Sequence, residues 1–251
     1  MDNVVVLGSA NAVPDSRHEN THLLIQAGKT NVLVDCASSP VQRLEKAGTS
    51  LESINNIFFT HFHPDHAAGA PLLFMVMWLK GRSAPLHLYG LEITLQKIRQ
   101  TMELYDYHTW PGMFPLAYHF LPEVEGYHAF EDENLFITTS PVKHLIPTIG
   151  LRVDYKDSRK SLMYTCDTEP CPAVISLAHK VDVLLHEAAG YARGHSSPQQ
   201  AAEDARAADS RSLVLIHYDY SHPELAKMVE QARQIFPGEV SLAQDFMQIG
   251  I

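Results

Sequence analysis

Positions 61 to 66 of the chain read His-Phe-His-Pro-Asp-His, directly behind the apolar residues Ile57, Phe58 and Phe59. His61 and His63 are two residues apart, so in an extended segment their side chains leave on the same side. Pro64 turns the chain, which makes Asp65 and His66 available to a second position close by. Imidazoles and carboxylates are good ligands for zinc and similar divalent cations. An isolated H-x-H pair arises often by chance. The full H-x-H-x-D-H run, at the end of a strand and the opening of a helix, is far rarer. Its competing reading is a polar cap satisfied by water and helix amides.

Two ions need more ligands than these four. His144 follows the apolar stretch "LFITTSPVK", Asp167 follows "SLMYTC" and His217 follows "SLVLI". Each alone is as readily an ordinary polar residue, but four apolar segments that all end in ligand-capable side chains point to one shared site. Two divalent ions about 3.5–4 Å apart hold a hydroxide between them and bring the acidity of water toward neutrality. They also stabilise the charge that develops on oxygen when that nucleophile attacks phosphorus or a carbonyl. Asp65 suits two tasks, as a ligand and as the group that orients or deprotonates the water. Glu187 and His195 add an acid–imidazole pair, in which the carboxylate fixes the tautomer and raises the basicity of the ring that assists the leaving group. Ser197, Pro198 and Gln200 spell a capping-box helix start just behind His195, a suitable place for a phosphate oxygen. The plainer reading is a loop histidine beside a mobile turn. His186 reads as a supporting neighbour and not a ligand.

These residues need strands to position them. "VVVLG", "HLLIQAG" and "TNVLVDC" read as strands, the last two joined by a Gly-Lys turn. "PVQRLEKAG" reads as a helix opened by proline and closed by glycine, and "NNIFFT" as the buried strand ahead of the histidine run. An apolar helix follows Pro71, then the strand "APLHLYG" and the amphipathic helix "LEITLQKIRQTMELY". The aromatic stretch 105–120, broken by two prolines, reads as a loop or flap that either shapes a pocket or interface or covers the core. Strands "LAYHFLP", "LFITTSPVKH", "TIGLRVDY" and "SLMYTCDT" precede an alternation of helix and strand to the C-terminus. Strand-rich and helix-rich segments occur twice without a linker, which suggests two β-sheets with helices outside; together with the resemblance described next, this predicts a single domain over 1–251, an α/β four-layer αββα sandwich of two mixed β-sheets with helices on the outer faces.

In these motifs the chain resembles the metallo-β-lactamase superfamily, and within it the ribonuclease Z group. The resemblance covers nearly the whole chain. It is carried by "LGSANAVPDSRHENTHLLIQAGKTNVLVDC", "THFHPDHAAG", "YTCDT", "LLHEAAGYARGHSSPQQAA" and "LIHYD". It implies one ion held by His61, His63 and His144, a second held by Asp65, His66 and His217, and Asp167 bridging both. It likewise implies Glu187 and His195 as the catalytic pair, beside Asp65, and a homodimer, with 72–78 and the aromatic stretch as contacts. Zinc is the expected metal, manganese or iron being admitted by the mixed ligand set. The sequence departs from the group at Ala37 and Pro64, and in "HEAA", "HSS" and "HYD". None of these removes an implied ligand. A larger departure lies between His144 and Asp167, where the bacterial members carry a long arm that clamps tRNA. Here "KDSRK" leaves room for a turn only. Phosphodiester hydrolysis is the expected chemistry, on a small-molecule phosphodiester or a short RNA more than on structured tRNA. Similar folds also cleave sulfate esters, lactones and thioesters, so fold alone does not choose.

Composition sets further bounds. A formal charge of -10 argues against broad nucleic-acid binding, which relies on clustered Lys and Arg. Fifteen histidines are the one compositional anomaly. The three cysteines, Cys36, Cys166 and Cys171, make no ligand pattern and fit a reduced, cytoplasmic setting. The N-terminal stretch lacks the features of a signal peptide, and the most apolar window, from Gly69, is too short to span a bilayer, so no membrane partner is expected.

Overall fold

The computed structural model describes residues 2–251, so only the first position of the expected domain lies outside the described residues. The first sheet is built from β1 (Asn3–Gly8), β2 (His22–Ala27), β3 (Thr30–Val34), β4 (Asn56–Phe58), β5 (Leu86–Leu91) and β6 (Leu116–Leu121). The second takes β7 (Tyr127–Glu131), β8 (Leu135–Val142), β9 (Thr148–Tyr155), β10 (Ser161–Tyr164), β11 (Val183–Glu187), β12 (Ser212–Ile216) and β13 (Glu239–Leu242). The last strand, β14 (Gln248–Gly250), returns to pair with β1, so both sheets have seven strands. Their orders are β14-β1-β2-β3-β4-β5-β6 and β13-β12-β11-β10-β9-β8-β7, each mixing antiparallel and parallel pairs.

The near-continuous apolar runs of these strands follow from burial on both faces. Val4 and Val6 of β1 point between the sheets, while Val5 and Leu7 point outward under helices. In β10, Leu162 and Tyr164 face the inter-sheet core and Met163 faces out. Helices α1 (Pro40–Lys46), α2 (Pro64–Ala67), α3 (Ala70–Leu79) and α4 (Glu92–Leu104) belong to the first half of the chain. Leu44, Leu73, Phe74, Leu95 and Ile98 from these helices cover the outer face of the first sheet. The second sheet is covered by α5 (Pro172–Leu177), α6 (Pro198–Ala207) and α7 (Leu225–Ile235), through Val174, Ala201, Ala205 and Val229. The expected αββα layering is what the chain forms.

Three strands were not expected from the sequence: β7, β13 and β14. Each is a sheet edge, and together they hold few buried apolar residues. An edge strand is paired on one side only, so its sequence lacks the doubly buried pattern that marks the interior strands. The aromatic stretch resolves into a 3-10 turn at Tyr107–Thr109, an irregular passage and β6. Trp110 stacks on Trp78 with ring centroids 5.0 Å apart, and Trp78 Nε1 donates to the Pro111 carbonyl. The stretch therefore covers the first sheet's outer core, with Phe114 buried beneath it.

Strand direction decides where the ligand-capable residues arrive. β3, β4, β5 and β6 run parallel, as do β10, β11 and β12, while β8 is antiparallel to β9 and so shares the direction of β10. The residues that follow β4, β8, β10 and β12, and those at the end of β11, thus converge on one edge of the sandwich, between the two sheets.

Candidate metal centre

Two four-residue groups of ligand-capable atoms meet at that edge, beside a three-residue group of His61, His66 and Cys166. His61, His63, His144 and Asp167 form one, and Asp65, His66, Asp167 and His217 the other, each with all its ligand atoms within 4.8 Å of one another. All seven residues singled out in the sequence are therefore brought together, and Asp167 is common to both groups. In the first group His61 Nε2 lies 3.0 Å from His63 Nδ1, which is 3.2 Å from His144 Nε2. In the second, His66 Nε2 is 3.4 Å from Asp167 Oδ1 and 3.6 Å from Asp65 Oδ2, and His217 Nε2 is 3.3 Å from Asp167 Oδ2. Four ligands at zinc bond lengths of about 2.0–2.2 Å stand roughly 3.4 Å apart around a tetrahedron, so the observed spacings suit a cation of that size.

The backs of the imidazoles show which nitrogens are free to ligate. His66 Nδ1 donates to Asp35 Oδ2 at 2.8 Å, and His144 Nδ1 donates to the Gly194 carbonyl at 2.6 Å. Thr21 Oγ1 spends its own proton on the Ala10 carbonyl, so His217 Nδ1 donates to it at 3.1 Å. His61 Nδ1 likewise faces Thr60 Oγ1 at 3.1 Å, because Thr60 donates to Asp35. Each of these contacts puts the proton on Nδ1 and leaves the Nε2 lone pair directed at the centre. His66 Nε2 and Asp167 Oδ1, both buried, have no hydrogen-bond partner. Buried polar atoms are rarely left so. Convergent lone pairs, two orphaned atoms and a mixed His/Asp set fit divalent cations.

Electrostatics agree. Burial lowers His61, His63 and His144 and brings His217 down to about 4, so these rings are neutral near pH 7 and free to ligate. His66 is the exception: burial opposes its charge, but Asp167 and Asp35 on either side outweigh it and raise it well above the usual range. That field favours a positive occupant at Nε2, proton or metal alike. Burial works to raise Asp167, yet the surrounding histidines, His217 and His66 foremost, hold it well below the usual carboxylate range.

Beyond the ligands lies the pair expected to handle the proton. His195 Nδ1 donates to Glu187 Oε1 at 3.0 Å. The same oxygen accepts from the N–H groups of Thr168 and Ser196, and Oε2 from that of Ala189. Burial pushes Glu187 up, while the four donors hold it as an acceptor on both oxygens. Burial also opposes a charge on His195, but Glu187 wins by hydrogen bond and by charge, and His195 is raised. Its ring lies 5.0 Å from that of His144 and stacks 6.0 Å from that of His217, between one member of each ligand group. The capping box is formed as expected, Ser197 Oγ accepting from Gln200 N–H and Gln200 Oε1 from Ser197 N–H. His186 is a supporting residue, bound to the Glu187 carbonyl and to Asp204 of α6.

Asp35 was not singled out as a site residue. It follows β3 with φ of 63° and binds Thr60 N–H, Thr60 Oγ1 and His66 Nδ1. The signal available in the sequence was an aspartate ending a buried strand, as Asp167 does. Beside His63 opens an apolar groove of about 280 Å³, lined among others by Phe62, Ile98, Thr101 and Tyr105.

The family described as anti-Pycsar protein Apyc1 matches residues 3–239. The ribonuclease Z of Methanothermobacter thermautotrophicus is 27% identical over 305 aligned positions that take in all of this chain and 97% of that protein. The alignment exceeds the 251 residues of this chain, so that relative carries segments absent here. The ribonuclease Z of Bacillus licheniformis is 26% identical, over 98% of this chain and 97% of its own. Among solved structures, human tRNase Z, short form, has a TM-score of 0.81 at 28% identity, covering 100% of this chain and 99% of that one. The metallo-β-lactamase fold protein YhfI from Bacillus subtilis has a TM-score of 0.82 at 20% identity, covering 99% and 98%.

Proposed function

The chain belongs to the anti-Pycsar protein Apyc1 family and is a ribonuclease Z-like, metal-dependent hydrolase of the metallo-β-lactamase superfamily, and from that premise we propose that it is a phosphodiesterase of small substrates with a two-ion centre. In this reading His61, His63 and His144 would hold one ion, Asp65, His66 and His217 the other, and Asp167 would be shared between them. Zinc suits the histidine-rich set, with manganese or iron as substitutes. When bound, the ions supply Lewis-acid polarisation of the phosphoryl oxygen and acidify the attacking water.

The remaining work falls to this chain's own groups. Asp65, the most exposed carboxylate of the ligand set, orients the water and takes its proton. His195, held as the protonated ring by Glu187, gives its Nε2 proton to the leaving oxygen. Glu187 stays a carboxylate throughout, because its backbone donors require an acceptor. The observation that carries the reading is the Glu187–His195 pair itself, set between the two ligand groups. A phosphodiester with an alcohol leaving group needs such an acid; a strained lactone does not.

Substrate size is supported by two features. The segment between β9 and β10 spans only the turn 156–160, and the groove beside His63, about 280 Å³, is of a size for a small organic group. A short RNA end fits these limits, consistent with the RNA-processing names of the relatives. A homodimer has support in the exposed Leu72 and Tyr105, which line one surface groove. Turnover of cyclic nucleotides, bis-aryl phosphate, a precursor tRNA, an aryl sulfate and a lactone tests the reading. Hydrolysis of the first two, abolished in His195→Ala and Asp65→Ala for the cyclic substrate, supports it. Lactone or sulfate turnover without phosphodiester turnover overturns it in favour of another small-ester hydrolase.

A further inference from the structure

His144, Asp167 and His195 come from three separate segments, and each has a near neighbour in one closed set of polar contacts. Gly194 is the meeting point. Its carbonyl accepts from His144 Nδ1 at 2.6 Å, and its N–H donates to Glu169 Oε1 at 3.0 Å. Glu169, two residues beyond Asp167, places its other oxygen 2.5 Å from Lys143 Nζ, and its own N–H donates to the Lys143 carbonyl at 2.7 Å. Lys143 immediately precedes His144 and its N–H donates to Thr168 Oγ1. The ring therefore runs from the segment of His144, through that of Asp167, to that of His195, and back.

The segment Gly190 to Gly194 needs this anchor. Its other contacts turn inward: Gly190 N–H donates to the Ser196 carbonyl and His195 N–H to the Ala192 carbonyl. Tyr191, Ala192 and Arg193 are exposed. Among the described residues, the two bonds at Gly194 are the ones that tie this stretch to the rest of the sandwich. Gly194 has φ of +86°, and a Cβ there would stand 2.9 Å from Leu145 Cγ and 3.0 Å from His144 Nδ1. Only glycine permits the approach.

We propose that Glu169 is a positioning residue: by holding Gly194 N–H it sets the ring of His195 toward the leaving oxygen. The inference rests on the role given to His195 above. The bond to Gly194 is charge-assisted and partly buried, and carries the effect. The ion pair with Lys143, whose side chain is 63% exposed, contributes little on its own.

The test compares Glu169→Ala, Glu169→Gln and Lys143→Met with the unaltered protein and His195→Ala. Two phosphodiesters are used, one leaving as nitrophenolate and one as an alkoxide, alongside hydrogen exchange of residues 188–196 on the full chain with and without zinc. Glu169→Ala is expected to slow the alkyl ester about 10–100-fold, to spare the nitrophenyl ester, and to speed exchange at Gly194. Glu169→Gln keeps an acceptor for Gly194 N–H and recovers most of both properties, and Lys143→Met changes neither. Equal losses on the two esters, exchange unchanged in Glu169→Ala, or Gln behaving as Ala would each overturn the role of Glu169. If His195→Ala also fails to separate the two esters, the role of His195 falls, and this inference with it. If His195→Ala separates them and Glu169→Ala does not, only the inference falls.

Discussion

The two sheets feed the same centre in opposite ways. The first supplies His61, His63, Asp65 and His66 from six consecutive positions, laced locally to the end of β3: Cys36 N–H donates to the His66 carbonyl, Gly69 N–H to the Cys36 carbonyl, and Asp35 holds both His66 and Thr60. The second supplies His144, Asp167, Glu187, His195 and His217 one at a time, and two of them, His144 and His217, are held by partners remote in sequence. His144 is held by Gly194 and His217 by Thr21 and Ser9, across 50, 196 and 208 positions. The contiguous motif is held by its own residues and by the end of the adjacent strand β3, whereas His144 and His217 are positioned by segments that only the assembled fold brings up. Damage to the first side should stay local, and damage to the second should spread.

Asp167 is where the sides join, and its loss has the largest expected effect. Asp167→Ala removes a carboxylate shared by both groups, and turnover is expected to fall by at least roughly 10³-fold. Metal analysis after zinc loading should show fewer than two ions per chain; an unchanged count would break the idea of a shared ligand.

His195→Ala comes next. General-acid assistance accounts for about 10²–10⁴-fold, so turnover of an alkyl ester should drop in that range while zinc content stays as in the unaltered protein. A parallel loss of zinc would mean that the second sheet's residues cannot be separated as ligands and acid. Asp35→Asn tests the local side. It should weaken metal binding about 10–100-fold, read by competition with a chelator, without shifting the pH dependence set by His195.

A pH profile sharpens the contrast. Glu187 raises His195, and the acid acts only when protonated, so activity is present below the raised value and is lost as pH climbs through it. Glu187→Gln removes that charge, and the alkaline limb of kcat should move to lower pH. A limb that stays in place would assign it to some other group. The smallest effect belongs to Ser197→Ala, which deletes one cap of α6 and should cost about 0.5–2 kcal/mol in urea unfolding, with the kinetic parameters little changed.

The same contrast explains what the sequence disclosed. The 61–66 run was legible because ligand spacing and the strand-to-helix change are written in adjacent residues. The cap at Ser197 was legible for the same reason. His144, Asp167 and His217 were legible only as a set, since nothing local separates His217 from any other strand-end histidine. Asp35 went unassigned because its role is defined by Thr60 and His66, whose contacts exist only once β3 and β4 lie side by side. Glu169 and Gly194 were less visible still. The edge strands β7, β13 and β14 escaped because pairing on one side leaves little demand on the side chains.

The turn 156–160 between β9 and β10 has a kinetic consequence. On the proposed reading, with only a turn on that side, a substrate would be gripped within a few side chains of the phosphorus. Encounter and escape would then both be fast, and the length of the molecule attached to the phosphate would have little influence on how long it stays. Discrimination would move from the holding of a substrate to the bond-breaking step, and be written in kcat more than in KM.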